Sequence, residues 1–222
     1  MRKSLLFAAI FIAFSSLCGN ANASGHIYLL KGLAGIFSTG LDVLDQKLIQ
    51  KDYSATVHSY LSYEELAAEA ARLQKSGKGP IIIMGHSSGA DAAISMADIM
   101  KTLGAPVALV VTFGPTTNLV APSNVSQVIN YYFGTIPVAS GPGFRGTISN
   151  VDLSGDADIN HLNVEKIDRL HAAIGGKSDL AFCTAYVRLW PKIPSCTAMS
   201  AFGVKQTSCG GAEENADQSV PY

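Results

Sequence analysis

Apolar positions along the chain fall into short runs that switch between two spacings. His26-Ile27-Tyr28-Leu29-Leu30 is an apolar run that stops at Gly32, and Pro80-Ile81-Ile82-Ile83-Met84 is a second, β-branched run. Unbroken runs of this length predict strands buried on both faces of a parallel sheet. Residues 107–112 and 125–133 repeat the pattern, while residues 55–61 and 147–153 alternate apolar and polar positions in the manner of strands. Between these runs the apolar spacing widens to three and four. Leu41, Leu44 and Leu48 share one helical face behind a cap at Ser38 or Thr39. Ser62 and Glu65 have the capping-box spacing ahead of a helix through Leu66, Ala70 and Leu73. Helices over residues 90–103 and 162–174 are closed by Gly104 and Gly175-Gly176. Strands alternating with crossover helices predict an α/β fold with a mostly parallel sheet flanked by helices, in one small domain.

Candidate chemistry gathers where the 80–84 strand meets the 90–103 helix. Gly85-His86-Ser87-Ser88-Gly89 fits G-x-S-x-G, whose glycines permit a sharp strand-to-helix turn that lifts a serine hydroxyl above the sheet. Strand and helix stand on the required sides, so Ser87 is the candidate nucleophile. The amide of Ser88 opens the helix and is a candidate oxyanion donor. A second donor is expected from the glycine loop Lys31-Gly32-Leu33-Ala34-Gly35 after the first strand, where the amide of Leu33 is the candidate.

A serine hydroxyl needs a general base. Of five histidines, His26 begins a strand, His58 lies within one, His86 is inside the turn motif and His171 is mid-helix. His161 stands in a loop between the last predicted strand and the last helix, downstream of Ser87, and is the candidate base. The acid that orients such a base usually follows the strand before the last, yet residues 134–146 contain no Asp or Glu. Candidates therefore lie just before His161. Asp152 ranks first because it ends a strand, Asp158 second because it is also placed to cap the following helix, and Asp156 reads as a turn residue. A dyad helped by a backbone carbonyl is the remaining option.

Composition narrows the partners. Lys and Arg total 16 against 17 Asp and Glu in 222 residues, for a formal charge of -1, which argues against a nucleic-acid partner. The start Met1-Arg2-Lys3, the apolar stretch over residues 5–17 and Ala21-Asn22-Ala23 have the layout of a signal peptide cut after Ala23. Export to the periplasm or medium is the expectation, with residues 1–23 as leader, 24–176 as the core and 177–222 as an extension. Removing two cations leaves 14 against 17, a charge of -3. Cys183, Cys196 and Cys209 all fall in that extension, and an oxidising compartment allows one disulfide among them with the pairing open.

The turn motif, the loop at Gly32 to Gly35, the order of elements and His161 together resemble the α/β-hydrolase superfamily, in particular small secreted bacterial lipase- or thioesterase-like hydrolases. The glycine loop is similar to the His-Gly-x-x-Gly oxyanion loop of lipases, with Lys31 in place of His. The resemblance covers roughly residues 26–174 and implies a metal-free serine hydrolase acting on an ester or thioester. No cofactor is expected, and the expected partner is a small-molecule or lipid-like acyl ester substrate, with transient membrane or envelope contact. The apolar loop from Gly134 to Phe144 is a candidate acyl-side wall. Two other readings fit the same chain: a catalytically inactive binding protein that keeps the fold, suggested by the missing acid, and a membrane-associated or cell-wall protein docking through the segment from Phe182 to Cys209, with Tyr186 and Trp190.

Overall fold

A computed structural model describes residues 25–33, 35 and 38–174. The leader expected over residues 1–23, Ala34, Cys183, Cys196, Cys209, Tyr186 and Trp190 lie outside the described residues. In chain order the elements are β1 (His26–Lys31), α1 (Gly40–Ile49), β2 (Ser54–Ser59), α2 (Tyr63–Lys75), β3 (Ile81–His86), α3 (Ser88–Thr102), β4 (Leu109–Phe113), β5 (Val120–Ala121), β6 (Gln127–Tyr132), β7 (Ala139–Ser140) and β8 (Thr147–Asp152). Six strands form one wholly parallel sheet in the order β2-β1-β3-β4-β6-β8, and β5 and β7 pair apart from it. The sheet is flanked by helices in a single domain, as expected of an α/β fold.

Alternation along each strand sorts the core into two layers. Tyr28, Leu30, Ile81, Ile83, Val110 and Val128 face α2 and α3, while Ile27, Leu29, Ile82, Met84, Val111 and Ile129 face α1 and the segment after β8. Every residue of β3 and β4 is buried, which explains why their sequences carry no polar alternation. The chain runs outward from β1 to β2, then returns to place β3 on the other side of β1. The order of strands therefore reverses between β1 and β3, and a crevice opens beyond their carboxyl ends, the usual ligand position in open parallel sheets.

Several local expectations are corrected. Ser62 makes no capping bond, because a 3-10 turn (Tyr60–Ser62) precedes α2 and leaves Ser62 at φ -88°, ψ 4° instead of the extended geometry a cap needs. Ser59 caps that turn instead, its Oγ accepting from the Leu61 amide at 3.3 Å. Thr39 is itself helical and makes no cap bond at α1. The helix expected over residues 162–174 is broken. A 3-10 turn covers Val164–Lys166, Ile167 is extended at ψ 111°, and helix begins only at residue 168. Local amide side chains account for this: Asn163 Oδ1 accepts from Asn160 N, Asn160 Oδ1 accepts from Leu162 N, and Asn163 Nδ2 donates to the Asp158 carbonyl. Such bonds offer the backbone an alternative to the helix.

Across β4, β6 and β8 a ladder of polar side chains crosses the sheet. Thr112, Asn130 and Asn150 are register partners; Thr112 Oγ1 donates to Asn130 Oδ1 at 2.7 Å and Asn130 Nδ2 to Asn150 Oδ1 at 2.9 Å. Asn150 in turn takes the Val138 amide and donates to the Val138 carbonyl, tying the β6–β7 connection to the sheet. Truncating Asn130, which is fully buried, orphans the Thr112 hydroxyl. Asn130→Ala is expected to lower unfolding free energy by about 1–3 kcal/mol in urea denaturation; an unchanged midpoint would show that the ladder contributes nothing.

Candidate active site

Ser87 occupies the turn between β3 and α3 with φ 57° and ψ -127°, one of two non-glycine residues at positive φ among those described. The flanking glycines are sterically required. A Cβ on Gly85 would collide with the backbone of Gly89, and one on Gly89 with the Leu30 carbonyl of β1. The turn is fixed from the next strand by the Ser87 amide, which donates to the Phe113 carbonyl at 2.9 Å. Its Oγ and His161 Nε2 are hydrogen-bonded at 3.0 Å.

Gly32 and Leu33 lie beside the turn. A Cβ on Gly32 would stand 2.8 Å from the His86 carbonyl and 2.9 Å from Ser87 Cβ, so glycine alone allows this approach. The Gly32 amide is taken by Ser38 Oγ at 3.1 Å, leaving the following amide, that of Leu33, as the loop's candidate oxyanion donor. Ser88 is the first residue of α3, so its amide has no intrahelical acceptor. Gly32, Leu33, Ser38, His86, Ser87, His161 and Leu162 line a cleft of about 220 Å³. Leu33 and Leu162, at 68% and 55% exposure, form its apolar rim.

His161 is anchored by packing as well as by its ring. Leu153, Ile159 and Val164 around it enter the core layer beneath α1. Its imidazole rests on Gly114 at the end of β4, where φ is 54° and a Cβ would lie 2.9 Å from Nδ1. Burial first, and then the neighbouring His86, push its pKa below the usual histidine value, with Glu165 and Asp91 pulling the other way.

The expected acids are not brought to His161. Asp152 is at the end of β8, as expected, but its carboxylate turns back on its own chain, accepting from Ser154 N at 2.9 Å and Ser154 Oγ at 2.6 Å. Those bonds hold it below the usual carboxylate value. Asp156 pairs with Arg169 and accepts from the Asp158 amide, and the carbonyl of Asp158 serves Asn163. Among the described residues no carboxylate is hydrogen-bonded to His161 Nδ1. Negative charge reaches the ring only through space. Asp91 on α3 is held by the Thr116 hydroxyl and the Thr116 and Thr117 amides. Glu165, fully buried, makes no hydrogen bond of normal geometry through either carboxylate oxygen; His86 Nε2 and Lys166 Nζ each stand 3.8 Å away. Burial pushes the Glu165 carboxyl up.

Three of these residues escaped the sequence reading. Ser38 reads as a helix cap because it precedes an apolar-periodic segment. His86 reads as a spacer of the turn motif. Glu165 reads as one more polar position of a regular helix, and nothing in the sequence marks its burial. The Gly134 to Phe144 loop, expected as an acyl wall, contributes nothing to the Ser87 cleft. Its Gly141 and Pro142 instead border a separate surface hollow of about 490 Å³ against α3. No group of three or more His, Cys, Asp or Glu side chains is placed to hold a metal among the described residues, and no described helix is long and apolar enough to cross a membrane.

No protein-family model and no curated protein matches this sequence. Solved structures similar to it include the following two. A candidate hydrolase of the alpha/beta superfamily from Xanthomonas campestris pv. campestris is 13% identical, with 69% of this chain and 99% of that one covered at a TM-score of 0.41. An esterase domain from a Rhodothermus marinus protein is 15% identical, with 72% and 88% covered at a TM-score of 0.48. Identities and scores of this size say nothing about chemistry.

The His161 imidazole should titrate below 6.5 in an NMR pH series, and Asp152→Asn and Asp158→Asn should leave its midpoint in place. Removing a hydrogen-bonded carboxylate would lower that midpoint, so a fall in either variant would restore that aspartate as the partner of His161.

Proposed function

We propose that the protein is an exported serine hydrolase that cleaves carboxylic ester or thioester bonds without a cofactor. One observation carries the reading: a serine held at positive φ on a strand-to-helix turn, its hydroxyl 3.0 Å from a histidine Nε2 at the mouth of a cleft. In this reading the neutral His161 accepts the Ser87 proton as Oγ attacks the acyl carbon. The carbonyl oxygen becomes an oxyanion held by the Leu33 and Ser88 amides. His161 then protonates the departing alcohol or thiol, leaving an acyl-serine. Water, deprotonated by His161, attacks that ester, and collapse returns the carboxylic acid and the free Ser87 hydroxyl. The imidazolium is stabilised through space by Asp91 and Glu165 in place of a bonded acid.

Leu33 and Leu162 on the rim favour an apolar acyl group and contact with lipid-like material, and the leader-like residues 1–23 support a periplasmic or secreted site of action. One observation favours a second reading, a catalytically inactive binding protein: the lack of a hydrogen-bonded carboxylate on His161 among the described residues.

A fluorophosphonate probe separates the two. Labelling of the wild type that disappears in Ser87→Ala and weakens strongly in His161→Ala is the expected result, whereas an unlabelled wild type supports the binding protein. The pH profile gives a second check. His161 must be neutral to act as base, so kcat/KM rises as pH climbs through its pKa. Since burial disfavours the cation, the acid limb should have its midpoint below 6.5. A limb centred above 6.5 would contradict the assignment of His161.

A further inference from the structure

Behind the Ser87–His161 pair runs a chain of three hydrogen bonds that joins segments far apart in sequence. The Gly32 amide donates to Ser38 Oγ at 3.1 Å, Ser38 and His86 Nδ1 are 2.8 Å apart, and His86 Nε2 lies 2.7 Å from the His161 carbonyl. Ser38 and His86 are both 1% exposed. The direction of each bond is forced. A carbonyl only accepts, so the His86 proton is on Nε2; in a neutral imidazole Nδ1 is then the acceptor, and the single Ser38 proton goes to it. The Ser38 oxygen remains free to accept from Gly32. Burial pushes the His86 pKa down, in keeping with the neutral ring. The Glu165 carboxylate, 3.8 Å away on the Nε2 side, favours that tautomer when ionised.

We infer that Ser38 and His86 are positioning residues whose relay sets the spacing of the oxyanion loop and the His161 loop around Ser87. The inference rests on the serine-hydrolase reading above. One end of the relay occupies the Gly32 amide and so presents the next one, Leu33, to the cleft. Gly32 is packed against Ser87 Cβ, so any rotation of the loop moves the oxyanion donor relative to the nucleophile. The other end holds the peptide carbonyl of His161, whose ring reaches Ser87 Oγ. Both groups that must meet the reacting carbonyl are thus referenced to one buried imidazole. Displacements near 1 Å at such groups cost on the order of 100-fold in rate.

The test uses turnover of p-nitrophenyl acetate by the full chain. Ser38→Ala is expected to lower kcat about 10- to 100-fold, less than the roughly 10²–10³-fold loss of an oxyanion donor itself, with KM nearly unchanged. Ser38→Thr, which keeps the hydroxyl, should recover most of the loss. His86→Gln should lose a similar factor, and the double variant Ser38→Ala/His86→Gln should be no slower than the worse single one, because one chain can be broken only once. Wild-type kcat in Ser38→Ala, no recovery in Ser38→Thr, or losses that multiply in the double variant would overturn the relay. A measurement on the unaltered protein stands beside these: ¹⁵N NMR of His86 should show Nε2 protonated and Nδ1 bare near neutral pH, and the opposite tautomer or an imidazolium would refute it. A wild type inert towards fluorophosphonate and every ester would instead bring down the hydrolase reading itself.

Discussion

A serine at φ 57° and ψ -127° lies outside the basins open to ordinary residues, at a cost on the order of 1–3 kcal/mol. The rest of the fold is arranged so that this conformation has no alternative. β3 is buried along its whole length and enters the turn rigidly, α3 leaves it at once, and β4 holds the serine amide through Phe113. Gly85, Gly89 and Gly32 remove the three Cβ atoms that would push the turn, the helix start and the neighbouring loop apart. The reversal of strand order between β1 and β3 brings that loop alongside. Strain in one residue is therefore tolerated because close packing on several sides over-determines it.

How much of this was legible in the sequence depended on the range of the interaction that decides each feature. Strands β1, β3 and β4 stood out because total burial leaves a continuous apolar signature, and the turn at Ser87 because its glycines have fixed spacing between a strand and a helix. At Asp152 the deciding interaction is of short range. Its position at a strand end was right, but Ser154 two residues on supplies both an amide and a hydroxyl, and a nearby donor outcompetes a distant imidazole. Ser38 and His86 were missed for the opposite reason. Their contacts exist only because residues 38, 86 and 161 meet in space, and each residue has an adequate local explanation that conceals the distant one.

The segment from residue 153 to residue 167 shows how irregular backbone is held where no ladder can hold it. It has no strand partner after the Leu153 amide reaches the Tyr132 carbonyl. Apolar side chains sink beneath α1, and two imidazoles supply donors to its carbonyls: His86 to His161 O, and His171 to Glu165 O at 2.7 Å. The close approach to α1 needs Gly40, since a Cβ there would run into the Glu165 carbonyl. A buried carbonyl without a partner costs as much as a lost hydrogen bond, so these histidines stabilise the loop that carries a third.

The position of His161 in the chain has a consequence for the newly made polypeptide. In the proposed reading the nucleophile and the oxyanion loop come from the middle and the beginning of the described fold, whereas the base follows β8, the last strand among the described residues and an edge of the sheet. Until the segment after β8 is in place, the Ser87 turn lacks the imidazole that stands 3.0 Å from its hydroxyl in the complete fold. On the serine-hydrolase reading, activation of Ser87 therefore requires the sheet to be complete.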